Sequence, residues 1–571
     1  MSRAVCMWCA AGLLLGYVGL LLGNIWLHSG TLYEGMHLAS GMAAWRTGRL
    51  DAYRVNPPLV RLLASLPAVL AFSERELPLK ENPADLRSEL SLGEQFYNHA
   101  GRDAHRLIVW GRLACLPFGV LGAVACWRWA RAMAGEAAGL AALALWCVSP
   151  GVLTYAAVTT TDGPAAACTV LAGWAYYAWL VHGEAHRAFW AGLALGAACL
   201  TKFTCLVLVP VFACLWILHV WQQRRAKPND ESRPSLAQLG LLFGVALIAV
   251  NTAYGFEGTF RPLGRYAFTS LRLGAPRLDT STVATGNRFA DTPLGWVPLP
   301  LPALYVEGID LQWRDMDRPG ACYLAGRWLP KGVWYYYVYG LAVKAPLGHW
   351  VMGLLAGLCA LVRWRGQLKA ARLSAPALAL AVLVLVSSET NMCTHMRYVL
   401  PGAGPFFVWA GASLCGQGRW LKLRCGVAGA CLLGSAASVL WSYPHTLAYF
   451  NELAGGPLGG PRHLLGSNVD AGQDGWLLER WLAQHREARP FFTNHLFVGR
   501  PAEPWARGVE PIPAAPLPEG WYGVSVNAVV AEPPTYPDLR RARLVGRVGY
   551  SIYVYYLDPA PERRAVPSTG L

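Results

Sequence analysis

Two carboxylates and four cations, set in apolar surroundings, are the residues of this chain best suited to chemistry. Glu34 follows the first hydrophobic run by about seven residues, within Thr31-Leu32-Tyr33-Glu34-Gly35-Met36-His37. Asp162 stands between the third and fourth runs, within Val158-Thr159-Thr160-Thr161-Asp162-Gly163-Pro164. Taken singly, Asp162 reads as the N-cap of a helix that Pro164 opens, and Glu34 as a solvated loop acid. At one mouth of a helix bundle they can surround a hydroxyl, one as general base and the other orienting it. Arg112 lies about five residues into the second run and Lys202 separates the fifth and sixth. Lys344 sits in Val343-Lys344-Ala345-Pro346, and Arg397 in His395-Met396-Arg397-Tyr398-Val399-Leu400-Pro401. A charge inside a membrane helix costs roughly 2.5–3.5 kcal/mol on insertion scales, so such groups are paired or functional; the alternative is snorkelling to headgroups. Four cations at one depth make a site for a lipid-borne phosphate or pyrophosphate, Arg by bidentate contacts and Lys as a point charge. His37 and His395, beside Glu34 and Arg397, are counted with these cations as substrate-binding residues. Glu34-x-x-His37 is half of a metal-binding pattern, but no second His or Cys pair accompanies it, and no metal or other cofactor is expected.

The elements that must position these residues are membrane helices. The chain has 571 residues, 54% hydrophobic and 15% charged, with a mean hydropathy of +0.30. This excludes an ordinary soluble protein and fits a polytopic membrane protein. A span needs about 20 apolar residues. About eleven runs qualify: 6–27, 107–127, 137–157, 164–181, 188–200, 204–221, 236–254, 337–362, 374–388, 399–415 and 425–441. The fifth and sixth read as a broken pair around Lys202. No small-x-small cleavage site follows Ala4–Leu27, so it reads as an uncleaved first helix.

The net charge of +15 sets the orientation. With the N-terminus inside, the short inward loops carry Arg128 and Arg131, then Arg187, then Arg224, Arg225 and Lys227, then Arg363, Arg365, Lys369 and Arg372, then Arg419, Lys422 and Arg424. This is the positive-inside pattern, and it places Glu34, Asp162 and the C-terminus outside. The cations are scattered over loops, so nucleic acid is not expected as a partner. Most of the 15 cysteines lie in or beside apolar runs, where they act as small hydrophobes. Cys6-Met7-Trp8-Cys9 reads as helix packing, while the sequence allows a disulfide between Cys322 and Cys393 on outward segments.

Residues 1–441 read as the membrane domain, with long outward loops at about 28–105 and 255–336. The stretch 58–72 reads as a helix lying in the interface, started by Pro57 and Pro58. Residues 222–235 read as a solvated inward linker. The tail, 442–571, reads as a small extracytoplasmic α/β domain ending in a strand signal at Val548–Tyr556.

Taken in order, these motifs resemble bacterial GT-C class membrane glycosyltransferases, in the group of protein O-mannosyltransferases and lipid A aminoarabinose transferases. The resemblance runs over nearly the whole length. It rests on the acidic motif at Glu34, Asn56-Pro57-Pro58-Leu59, Thr161-Asp162, Leu200-Thr201-Lys202-Phe203, Trp334-Tyr335-Tyr336-Tyr337 with Lys344-Ala345-Pro346, and Arg397–Pro401. In the tail it adds Tyr449-Phe450-Asn451-Glu452, Ser467–Asp474 and Gly549-Tyr550-Ser551. The resemblance implies an all-α polytopic GT-C fold with a small C-terminal domain. It implies transfer of a sugar from a polyprenyl-phosphate donor to a lipid, glycan or protein acceptor on the outer face of the bacterial inner membrane, with inversion at the anomeric carbon. By the same resemblance Glu34 is the base, Asp162 shapes the acceptor site, and Lys202 and Arg397 bind the donor phosphate, with Lys344 and Arg112 as further contacts. The chain departs from the family where Tyr33 replaces an Asp commonly assigned as base, and where Ala471 replaces a Trp. Glu34 then takes the base role, or Asp162 serves instead. Two other readings stay open: a transporter or flippase of lipid-linked sugars, disfavoured because no internal repeat is visible, and a non-catalytic member of the same fold.

Overall fold

The hydrophobic runs fold as helices, and two of the breaks within them fall at prolines. A computed structural model describes residues 2–72, 77–82, 85–226, 234–274, 286–317, 320–362, 369–416, 420–495 and 507–559. Arg363, Arg365, Arg419 and residues 227–233 of the expected linker, Lys227 included, lie outside the described residues. Helix α1, Arg3–Leu27, starts at Ser2, whose hydroxyl accepts from the Val5 amide. The first long connection then forms three helices: α2 (Leu32–Thr47), α3 (Leu59–Ala71) and α4 (Ser88–Ala100). They share one apolar cluster that includes Leu38, Met42, Val60, Ala64, Leu92 and Phe96. Helix α3 begins directly after Pro58 and turns Leu63, Leu66 and Leu70 outward. Next come α5 (Ala104–Ala134), α6 (Glu136–Cys147), α7 (Pro150–Tyr155), α8 (Asp162–His182) and α9 (Ala185–Thr201).

Among the described residues, eight helices are long and apolar enough to cross a membrane. The remaining three of the eleven runs differ from the simple expectation. The run at 137–157 is divided into α6 and α7 at Pro150. The run at 337–362 is Tyr336–Lys344 followed by Leu347–Val362, bent by 117° around Pro346. The fifth run is α9, 17 residues long. It stops at Lys202, whose extended backbone leads into the short 3-10 turn Phe203–Val207.

Helix α8 is central and α1 peripheral: 72% of the apolar window of α8 is buried, against 22% for α1. Small residues let the inner helices approach. A Cβ on Gly122 would lie 2.3 Å from the Trp146 ring, and one on Gly411 would lie 2.7 Å from the Ala138 carbonyl. Large apolar side chains such as Trp8, Leu15, Ile248, Leu354 and Leu433 are exposed on the outer helices. An apolar surface of that extent faces lipid in a polytopic membrane protein.

The second long connection contributes helix Ala303–Asp317 and the hairpin of β1 (Cys322–Leu324) and β2 (Arg327–Leu329). Cys322 and Cys393 form no disulfide: both are free thiols in one buried cluster. The last span ends at Ser442. The tail carries β3 (Phe491–Thr493), β4 (Val509–Pro511), β5 (Gly520–Ser525), β6 (Arg543–Val548) and β7 (Ile552–Leu557), in the order β4-β3-β5-β7-β6. Strand β3 is parallel to β4 and β5, while β7 is antiparallel to β5 and β6. Helix Gly475–Gln484 lays Leu478 and Leu482 on Phe491, Ile552 and Val554. The strand expected at 548–556 is largely β7; its first residue ends β6, and Gly549, at φ +57°, turns the chain between the two.

Candidate active site

Glu34 is a buried first-turn residue of α2 rather than a loop acid. Its carboxylate closes a capping box by accepting from the Thr31 amide at 2.8 Å. It also accepts from the Thr159 amide at 2.9 Å and from Arg112 through Nε and Nη2, both at 2.7 Å. Four donors occupy the four lone-pair positions of the carboxylate. Arg112 is equally complete: its remaining N–H groups go to the carbonyls of Ile25 (2.9 Å), His28 (2.8 Å) and Ser29 (2.7 Å). Neither side chain has capacity left for a substrate. The roles the sequence suggested, Glu34 as base and Arg112 as phosphate ligand, do not fit this geometry. The pair instead ties α2 to α5 and to the end of α1.

Asp162 is different. It opens α8, against Gly163, where a Cβ would lie 2.1 Å from the Tyr155 carbonyl oxygen. Its Oδ1 pairs with Lys202 Nζ, and its Oδ2 lies 3.7 Å from Arg397 Nε. Arg397 Nε makes no hydrogen bond. The three side chains come from α8, from the break after α9 and from the turn before helix Ala403–Cys415, and all are buried or nearly so. Aromatic rings support the cations. The Arg397 guanidinium lies 4.0 Å from the centre of the Tyr33 ring, and Lys202 Nζ lies 4.5 Å from that of Tyr398. Tyr33, noted in the sequence only as a missing acid, is thus part of the site.

The two histidines sit beside this cluster as neutral bases. Burial, reinforced by Arg61, pushes the His37 imidazole down to about 3, and its Nδ1 has no hydrogen-bond partner. Burial and Arg397 hold His395 well below the ordinary histidine range. His395 Nδ1 meets the Ser467 hydroxyl at 2.5 Å, and its ring meets Tyr33 edge-on.

Arg397 and Lys344 share the lining of a cavity of about 510 Å³. Its wall is mostly apolar, including Leu341, Leu383, Leu400, Phe406 and Trp409, and its polar part holds Ser467 and Asn468. Lys344 sits at the bend of its helix pair and donates to the carbonyls of Leu447 (2.8 Å) and Asn468 (2.6 Å). The tail motifs build this wall. Asn451 donates to the carbonyls of Ala342 (2.7 Å) and Ala345 (2.9 Å), bracing the bend. Asn468 accepts from the Met396 amide at 2.9 Å and donates to the Thr394 carbonyl at 3.0 Å, fixing the turn that delivers Arg397. No sequence pattern shows these contacts, because their partners are far apart along the chain.

The family described as dolichyl-phosphate-mannose-protein mannosyltransferase matches residues 107–254, about a quarter of the chain. That segment holds Arg112, Asp162 and Lys202. No curated protein matches this sequence significantly. Among solved structures, the chain is similar to ArnT from Cupriavidus metallidurans bound to undecaprenyl phosphate. That likeness has 14% identity and a TM-score of 0.43, and covers 98% of this chain and 100% of the other. It is also similar to the Archaeoglobus fulgidus oligosaccharyltransferase tethered with an acceptor peptide, with 9% identity, a TM-score of 0.47, and 89% and 64% covered. The archaeal oligosaccharyltransferase AglB from the same organism, in complex with an inhibitory peptide and a dolichol-phosphate, shows 10% identity, a TM-score of 0.47, and 99% and 75% covered.

Proposed function

We propose that this chain is an integral membrane glycosyltransferase. It moves a sugar from a polyprenyl-phosphate donor to an acceptor on the outer face of a bacterial cytoplasmic membrane. The observation that carries the reading is the meeting of Lys202 and Arg397 on Asp162, with Arg397 at the polar part of an apolar cavity. The apolar wall suits the prenyl chain, and the two cations suit its phosphate. Lys344 adds a further N–H donor to the cavity that Arg397 lines.

In the free protein Asp162 balances both cations. A donor phosphate bridging Lys202 and Arg397 takes over that charge and frees the carboxylate. Asp162 then accepts the proton of the acceptor hydroxyl, whose oxygen attacks the anomeric carbon. The bond from that carbon to the phosphate oxygen breaks with inversion, and the polyprenyl phosphate leaves with its charge stabilised by Lys202 and Arg397. The transfer moves one sugar and one proton and calls on no cofactor. Family resemblance and the 107–254 match support the reading. The sugar is a hexose or pentose, and the acceptor is a lipid, glycan or protein.

The test is transfer of label from a radiolabelled polyprenyl-phosphate sugar to membrane extract by purified protein in lipid. Asp162→Asn should lower turnover by roughly 10²–10⁴-fold while donor still binds. Full turnover by this variant would remove Asp162 from the mechanism. One observation favours a second reading, a non-catalytic homologue: the closed Glu34–Arg112 pair, with Tyr33 at the family's acidic position, leaves that motif no free carboxylate. Inactive wild type alongside an active Tyr33→Asp variant would select it.

A further inference from the structure

Three side chains without a role in the transfer meet where the bundle joins the C-terminal domain. His28 follows α1, His445 follows the last span, and Asp474 precedes helix Gly475–Gln484. One nitrogen of each histidine and one oxygen of Asp474 all lie within 4.8 Å of one another. His28 and Asp474 are buried. His28 Nε2, His445 Nδ1 and Asp474 Oδ1 each make no hydrogen bond. Buried polar atoms seldom go without one, so three in one small cluster call for an explanation.

The rest of each group is held as a ligand's would be. His28 Nδ1 faces the Asn24 carbonyl at 3.3 Å, which places the proton on Nδ1 and a lone pair on Nε2. Asp474 Oδ2 accepts from the Ser551 hydroxyl at 2.8 Å and from the amides of Tyr550 (3.2 Å) and Ser551 (3.3 Å), leaving Oδ1 free. The turn closes tightly on this carboxylate, since a Cβ on Gly549 would lie 2.2 Å from Oδ2. His445 Nδ1 lies 3.4 Å from Asp474 Oδ1. Two ligands of a tetrahedral zinc, bound at 2.0–2.1 Å, stand about 3.3 Å apart. The His445 side chain is 18% exposed, which leaves a route for an ion and for water.

We propose that His28 Nε2, His445 Nδ1 and Asp474 Oδ1 bind one divalent transition-metal ion, zinc by preference, with water in the fourth position. Two imidazoles and a carboxylate form a donor set suited to zinc. The ion would act as a staple. Around it, the Ser29 amide donates to the Gln473 carbonyl (3.1 Å), the Ser29 hydroxyl donates to the Gly472 carbonyl (2.6 Å), and the Gly475 amide donates to that hydroxyl (2.9 Å). Arg112 binds the carbonyls of His28 and Ser29 and holds Glu34, so the metal is linked to the start of α2 and thereby to Tyr33. No ligand spacing marks this site along the chain, because His28 lies more than 400 positions before His445, and His445 and Asp474 are themselves 29 apart. It stands independently of the glycosyl-transfer reading.

Tag-free full-length protein, purified in detergent and dialysed against micromolar zinc, is assayed by inductively coupled plasma mass spectrometry and thermal unfolding. About one equivalent of zinc per chain is expected, as for a preformed three-ligand site. A phenanthroline chelator should lower the unfolding midpoint and added zinc restore it. Cobalt(II) in place of zinc should give the visible absorption of a tetrahedral site. His28→Ala and Asp474→Asn should lose the metal and the midpoint response. Sub-stoichiometric zinc and no cobalt spectrum in folded wild type would overturn the proposal, leaving a plain His445–Asp474 hydrogen bond. Equal zinc in wild type and folded His28→Ala would overturn it as well. Wild type alone decides the matter if the variants misfold.

Discussion

Replacing Glu34 by Gln separates a structural role from a catalytic one. The carboxylate takes four hydrogen bonds, two from Arg112 and two from backbone amides. Gln offers one oxygen in place of two and points an NH2 group at donors. At least two bonds to a charged group are lost, each worth roughly 1.5–3 kcal/mol. The Arg112 guanidinium, fully buried, keeps its charge without a counterion. Breaking a buried pair from one side costs about 3–5 kcal/mol. That is a large part of the roughly 5–15 kcal/mol that holds a typical domain. Glu34→Gln should therefore lower the unfolding midpoint and the yield of monodisperse protein by a wide margin. Whatever folds should keep a turnover near that of wild type. The combined Glu34→Gln, Arg112→Met variant should recover part of the stability, since it removes the stranded charge. A Glu34→Gln protein with the wild-type midpoint and turnover reduced by roughly 10²–10⁴-fold would refute this reasoning and restore Glu34 as the base.

Arg397→Ala should weaken donor binding and turnover more than Arg397→Lys does, because Lys keeps the charge but loses the planar fork and its stacking on Tyr33. Equal effects, measured by donor titration and transfer rate, would argue against a phosphate role. Gly163→Ala introduces a Cβ about 2.1 Å from the Tyr155 carbonyl oxygen and should destabilise by about 1–3 kcal/mol, read from thermal unfolding. An unchanged midpoint there would mean that the start of α8 moves freely.

What the sequence determined is local. Runs of about 20 apolar residues become helices in a membrane because a helix satisfies its backbone hydrogen bonds within one segment, and all eleven runs are helical. A chain break at Lys202, a helix start at Asp162 and a helix after Pro58 were readable from the residues themselves. The bend at Pro346 was readable too, from proline's missing amide, although the run at 337–362 passed for one straight span. The choice of ion-pair partners was decided only by the tertiary structure. Two carboxylates and four cations admit many pairings along a chain, and none has a sequence signature. Packing of α2 against α5 hands Arg112 to Glu34, and packing of α8 with the α9 break and the Arg397 turn leaves Asp162 with two cations, of which Arg397 lines a cavity. The same holds for Asn451, Asn468 and the His28–His445–Asp474 cluster: each joins segments well separated along the chain. Helix periodicity is encoded by neighbours a few residues apart, whereas a pair's charge balance depends on which side chains the folded bundle deprives of water.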